Sequence, residues 1–158
     1  MPMKTLLAQL TDLHIREPGK LAYGRLDTAP NLRAAVQAIN AFPQRPNAVV
    51  LTGDLTDFGR AAEFAHLSEL LAPLTMPLYL LPGNHDDRAQ MRRCFSHHPY
   101  LGDDEFVQYT VSLGDHGLHL IAVDTVEPGA SFGRLCAKRL QWLDDTLQRC
   151  SGTVANPS

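Results

Sequence analysis

The sequence predicts an α/β domain in which parallel strands alternate with helices, followed by an antiparallel hairpin and a last helix. Three observations predict it. Short apolar runs recur at residues 6–10, 48–51 and 78–81, each ending in a polar, glycine-bearing or acidic corner. Between them lie segments whose apolar residues repeat at helical spacing, long enough for crossovers between parallel neighbours. After residue 106 the period changes to strict alternation, the mark of a half-buried strand.

The elements follow in order. Residues 6–10 form a buried strand that stops at Thr11-Asp12. A loop through Pro18-Gly19 and Tyr23-Gly24 leads to a helix that Asp27 or Thr28 can cap, with Pro30 tolerated in its first turn. Leu32, Ala35, Val36 and Ile39 share one face, and Pro43 closes the segment. Residues 48–51 run into Thr52-Gly53-Asp54. A helix over 61–71 turns Phe64, Leu67 and Leu71 inward, and 78–81 delivers Pro82-Gly83-Asn84-His85. A short helix covers 88–95. Val107, Tyr109, Val111 and Leu113 alternate into a turn at Gly114-Asp115-His116-Gly117, and 118–123 returns as the partner strand. The final helix carries Cys136, Leu140, Leu143 and Leu147 on one stripe, and the tail from Ser151 to Ser158 is polar.

Bulk properties narrow the function. A chain of 158 residues is one domain with a real core, and 44% apolar with 20% charged residues is a globular composition. The net charge of −3 gives no reason to expect a nucleic acid polymer or an anionic membrane as partner. Cys94, Cys136 and Cys150 form no CxxC pair, and free thiols fit a cytoplasmic location. The N-terminal apolar stretch is too short for a signal core, and no run approaches the roughly 18 residues of a membrane span.

The chemistry lies at the three strand-to-loop corners. Asp12 and His14, one residue apart, point to one side of an extended segment about 6.5–7 Å apart and can share a cation where the chain bends. Asp54 follows Gly53, which lets the backbone turn closely, and its two oxygens can bridge two ions. Alone it would read as a turn or helix-cap residue. Asp57, further along the loop, is better explained as the cap of the following helix. Asn84 offers an amide oxygen, and His85 a ligand or a proton donor, although each alone would pass for a turn residue. Their co-occurrence at three strand ends, where open α/β sheets bind ligands, points to a metal site. Two divalent cations bring +4 against about −3 from Asp12, Asp54 and a bridging hydroxide, a centre attractive to phosphate. A metal-bound water is acidic enough to attack at neutral pH, and His85 could protonate the leaving alkoxide.

The blocks Thr11-Asp12-Leu13-His14, Thr52-Gly53-Asp54 and Pro82-Gly83-Asn84-His85-Asp86 resemble the signature of the calcineurin-like metallophosphoesterase family. Gly19-Lys20-Leu21, Tyr23-Gly24, Asp27, Gly133, Leu135, Leu140 and Trp142-Leu143 resemble its bacterial branch of cyclic-nucleotide and glycerophosphodiester phosphodiesterases. The resemblance implies part of a four-layer αββα sandwich with two divalent metal ions, drawn from Fe, Mn, Zn or Co. It implies Asp12, His14 and Asp54 on the first ion, with Asp54 bridging to a second that Asn84 also binds. Asn84 and His85 would contact a small phosphodiester substrate, and His85 would act as catalytic acid with Asp86 orienting it.

The family pattern continues into a histidine pair and a G-H-x-H block that this sequence lacks. Residues 1–150 therefore read as the N-terminal part of the domain, and 151–158 as a tail leading to a missing C-terminal part. His97-His98-Pro99 and the segment from Gly114 to His119 imitate the absent blocks in letters only. The former is expected in a surface loop, and His66 on a helix surface. Half a sandwich would expose one sheet face, so association with another copy or with the missing half is expected. The fragment itself is expected to be poorly active. The alternative is a non-catalytic scaffold or weak metal binder that keeps the fold; a nuclease is disfavoured by the acidic balance.

Overall fold

Leu7–Leu10 (β1), Ala48–Thr52 (β2) and Leu78–Leu81 (β3) form a parallel sheet in the order β1-β2-β3. The structure is a computed structural model that describes residues 5–113 and 118–153. Ala29–Asn40 (α1) and Ala61–Leu71 (α2) are the crossovers, and Arg88–Cys94 (α3) follows β3. A 3-10 turn at Pro99–Leu101 leads to the antiparallel pair Tyr109–Leu113 (β4) and Leu118–Ala122 (β5), then to Ala137–Thr153 (α4). The turn expected at 114–117 and the tail beyond 153 lie outside the described residues.

β2 is the centre of the sheet, which is why its run is continuously apolar and its residues Ala48, Val49, Val50 and Leu51 are all buried. α1 presents Leu32, Val36 and Ile39 to the core, and α2 presents Phe64, Leu67 and Leu71, as their spacing predicts. α1 begins after Thr28, with Pro30 in its first turn and Asp27 Oδ1 accepting from Ala29 N at 3.1 Å. α2 begins differently from expectation. Its N-cap is Arg60, and Glu63 reaches back to accept from Arg60 N at 3.1 Å and Phe58 N at 2.9 Å. Asp57 does not cap it.

The antiparallel pair docks through tyrosines. β3 is an edge of its sheet, and the Leu78 and Leu80 carbonyls on its free side accept from the hydroxyls of Tyr100 and Tyr109, both at 2.8 Å. Burial drives both phenols well above their ordinary range. Tyr79, Tyr100 and Tyr109 pack as one aromatic cluster, with Tyr100 and Tyr109 rings 4.5 Å apart.

Two expectations are corrected. His66 is buried in α2, where its Nδ1 sits 2.7 Å from the Arg16 carbonyl. The stripe of α4 is not buried as a unit: Leu140 and Leu147 are about half exposed (49% and 48%), Cys136 and Leu143 are half-buried, and Arg139 and Thr146 are buried instead. α4 is held by polar contacts, with Arg139 Nη1 donating to the carbonyls of Asp124 and Val126, both at 3.1 Å. Asp124, fully buried, takes a bidentate pair from Arg88 (2.6 and 2.8 Å) and the backbone N–H groups of Val107 and Val126. His97 and His98 lie in the loop after α3, as expected.

Candidate metal centre

Parallel pairing brings the carboxyl ends of the three strands together. Leu10 pairs with Leu51 and Thr52 with Leu81, so the corners that follow emerge side by side. The first two run on as a backbone ladder beyond the sheet: Asp12 N donates to Gly53 O at 3.1 Å, His14 N to Asp54 O at 2.9 Å and Ile15 N to Leu55 O at 3.0 Å.

That ladder demands unusual backbone. Asp12 (φ 55°), His14 (φ 44°) and Asp54 (φ 48°) all sit in the left-handed region, which residues other than glycine rarely adopt. Such conformations persist where the surroundings over-determine them, and they cluster at working sites. The third corner presses against the second. A Cβ on Gly53 would meet the Gly83 Cα at 3.0 Å, and a Cβ on Gly83 would overlap the Asp54 carboxylate and backbone nitrogen. The two glycines allow this crossing.

The side chains converge accordingly. Asp12, His14 and Asp54 each offer a ligand atom within 4.8 Å of the others, and so do His14, Asp57 and His85. His14 belongs to both groups. Asn84 is exposed and lines a cleft of about 200 Å³ together with Asp12 and Asp54, walled on the far side by Val126, Phe132 and Gly133. Carboxylate, imidazole and amide oxygen suit hard-to-borderline divalent cations, so the residues present fit the ions that the donor set suggests.

His85 is fixed by the second corner. Its backbone N–H donates to Asp54 Oδ1 at 3.2 Å, and its Nδ1 lies 2.8 Å from the Asp57 carbonyl. Asp86 does not orient it. The Asp86 carboxylate accepts from Gly83 N, Leu55 N, Thr56 N and Thr56 Oγ1 at 2.8–3.0 Å, riveting the second corner to the third. Burial pushes its pKa up, and these hydrogen bonds pull against that. The orienting group for His85 is therefore the backbone of Asp57.

The sequence reading places two neighbours of the site elsewhere, Asp57 as a helix cap and Tyr23 in the loop before α1. Asp57 is buried beneath His14, with Oδ1 3.5 Å from His14 Nδ1. Tyr23, also left-handed (φ 52°), places its hydroxyl 3.0 Å from His14 Nε2. Partial desolvation and the carboxylates of Asp57, Asp54 and Asp12 hold that hydroxyl above its ordinary pKa. A left-handed bulky residue has no signature in the letters. Asp57 could have been found by asking what would face the inner nitrogen of His14.

The profile of the calcineurin-like phosphoesterases matches residues 5–146, and the chain belongs to that family. Members use divalent metals, and the parallel sheet with its antiparallel pair agrees with part of such a fold. A probable glycerophosphodiester phosphodiesterase of Arcobacter nitrofigilis is 31% identical over 144 residues, 91% of this chain and 52% of that protein. A glycerophosphodiester phosphodiesterase of Enterobacter lignolyticus is 33% identical over 148 residues, 90% of this chain and 51% of the relative. A cAMP/cGMP dual specificity phosphodiesterase of Mycobacterium tuberculosis is 33% identical over 147 residues, 90% and 45% of the two chains. The chain thus spans about half the length of the curated relatives it matches. Among the described residues, no helix is long and apolar enough to cross a membrane.

Proposed function

We propose that residues 1–150 are the N-terminal part of a binuclear, metal-dependent phosphodiesterase acting on a small phosphodiester of the cyclic-nucleotide or glycerophosphodiester kind. The observation that carries this reading is the convergence of Asp12, His14 and Asp54, all three on left-handed backbone, at a cleft that Asn84 also lines. The printed activities of the relatives support the reaction class.

In this reading Asp12, His14 and Asp54 hold one divalent ion, and Asp54 and Asn84 hold a second. Fe, Mn, Zn and Co all suit such a mixed shell. When bound, the ions supply positive charge for the phosphate and a water acidic enough to attack it near neutral pH. The chain's own groups position and protonate. A carbonyl only accepts, so the bond from His85 Nδ1 to Asp57 O requires a proton on Nδ1 and leaves Nε2 directed elsewhere. Once protonated, His85 Nε2 can deliver a proton to the leaving alkoxide. The Asn84 amide N–H groups can hold a phosphate oxygen.

The 158-residue chain turns over poorly by itself, because the cleft is built from one half of what its relatives carry. The free side of β1 fits association with a second copy or with polypeptide equivalent to the relatives' second half. Free thiols at Cys94, Cys136 and Cys150 support a cytoplasmic setting.

The test is hydrolysis of bis(4-nitrophenyl) phosphate by this chain extended with the second half of a relative, with and without Mn²⁺ or Zn²⁺. Metal-dependent turnover that disappears in Asp54→Ala supports the proposal. Turnover that survives chelation, or that Asp54→Ala leaves intact, overturns it.

A further inference from the structure

We propose that Cys136 is a modification site, a reactive thiol that hydrogen peroxide oxidises to sulfenic acid. The claim is independent of the metal-dependent reading above. α4 begins at Ala137, and Leu140 N donates to Cys136 O at 2.9 Å, the first bond of the helix. Cys136 is therefore the N-cap, where a side chain can accept from the free N–H groups of the first turn. Its sulfur does so, taking the backbone N–H groups of Arg139 and Lys138. A helix of 17 residues also places its partial positive charge there.

A serine would cap the helix as well. What sets this site apart is the arginine behind it. Arg139 is 3% exposed, and its side chain lies against the sulfur. Its Nη1 is occupied by the carbonyls of Asp124 and Val126, and its Nη2 faces Glu127 Oε2 at 3.8 Å. Nε has no hydrogen-bond partner, although it is buried. A neutral thiol is a weak acceptor and leaves that donor unsatisfied. A thiolate, or an oxygen added to the sulfur, accepts more strongly. Hydrogen bonds from the Arg139 backbone and then its side chain hold the thiol below its ordinary pKa, against desolvation. Lys138 brings a second positive charge, offset by Glu105 at 2.7 Å.

The other two cysteines lack this setting. Burial pushes the Cys94 thiol up, and its Sγ donates to the Phe64 carbonyl at 3.2 Å. Cys150 sits in the last turn of the same helix, where carbonyls, not N–H groups, are left without helical partners. All three are half-buried, so exposure alone does not separate them.

The step balances without a cofactor. The thiol gives its proton to solvent, and the thiolate sulfur attacks one peroxide oxygen. The S–O bond forms as the O–O bond breaks, and hydroxide leaves and recovers a proton as water. Sulfur is oxidised by two electrons and the peroxide is reduced by two. The new oxygen gives Arg139 Nε an acceptor.

The experiment uses the reduced 158-residue chain. Iodoacetamide labelling at pH 7 with peptide mass mapping ranks the thiols, and peroxide with dimedone, which captures sulfenic acid, locates the oxidation. Thiolate fraction rises as a thiol becomes more acidic while intrinsic nucleophilicity falls about half as fast, so Cys136 should label at least about threefold faster than Cys94 or Cys150. The dimedone adduct should fall on Cys136 and vanish in Cys136→Ser, which keeps a capping oxygen. Arg139→Gln should slow labelling of Cys136 and leave that of Cys150 unchanged. If Arg139→Gln fails to fold, the wild-type rates and adduct decide alone. A Cys136 no faster than the other two is only a helix cap, and that result overturns the proposal. So does an adduct found elsewhere or nowhere, or a Cys136 rate that folded Arg139→Gln leaves untouched.

Discussion

The two edges of the parallel sheet solve the same problem in opposite ways. On the β3 side, the backbone carbonyls of Leu78 and Leu80 are sealed by Tyr100 and Tyr109, and the antiparallel pair packs over them. On the β1 side, among the described residues, nothing comparable covers the strand. Leu7 is 40% exposed there, and an apolar groove of about 450 Å³ runs between β1 and α1, past Ala35, Ile39, Phe42 and Pro46. The contrast separates what this chain completes alone from what it leaves open. Open strand edges are places where other backbone can add. The strand tips, where Asp12, Asp54 and Asn84 meet, depend on the closed side. Asp86 rivets the third corner to the second, and the loop after β5 walls the cleft.

Substitutions can break that contrast. The largest effect is expected on the sealed side at Asp124. Removing its carboxylate strands Arg88 and leaves two backbone donors without their acceptor, so Asp124→Ala should lose about 3–5 kcal/mol in urea unfolding. A loss below about 1 kcal/mol would mean that α3, α4 and the loop after β5 do not depend on this hub. Next comes Tyr109→Phe, which leaves the buried Leu80 carbonyl without its donor and should cost about 1–3 kcal/mol by the same method. A neutral result would show that water or another group satisfies that edge. The smallest effect belongs to the open side, where Leu7→Lys should stay within about 0.5 kcal/mol. A clear destabilisation there would show that β1 is covered after all.

What the letters reveal and what they hide differ for a physical reason. β2, β3, α1 and α2 are legible because burial imposes a local period, and the boundaries of α2 at 61–71 and β3 at 78–81 match the spacing. The three corners are legible because strand ends place ligand-type residues after apolar runs. Glu63, His66, Asp57 and Asp124 are not, because each is buried through contacts with residues far away or off any period. Glu63 and His66 meet the Arg16 segment across a long stretch of chain, and Asp124 meets Arg88. α4 shows the converse failure. Its leucine spacing reads as a core stripe, yet Arg139 and Thr146 face inward while Leu140 and Leu147 remain outside. Periodicity reports that a helix has two faces, not which one the protein uses.

The central claim is that three neighbouring strand tips hold divalent cations in common. Equilibrium dialysis of Mn²⁺ against this chain and its Asp54→Asn variant tests it most directly, since asparagine tolerates the left-handed backbone at that position. The account predicts saturable binding by wild type and a fall in affinity for the variant greater than the roughly 100-fold cost of losing an outer-shell partner. Equal binding by the two proteins, or none by wild type, would contradict it.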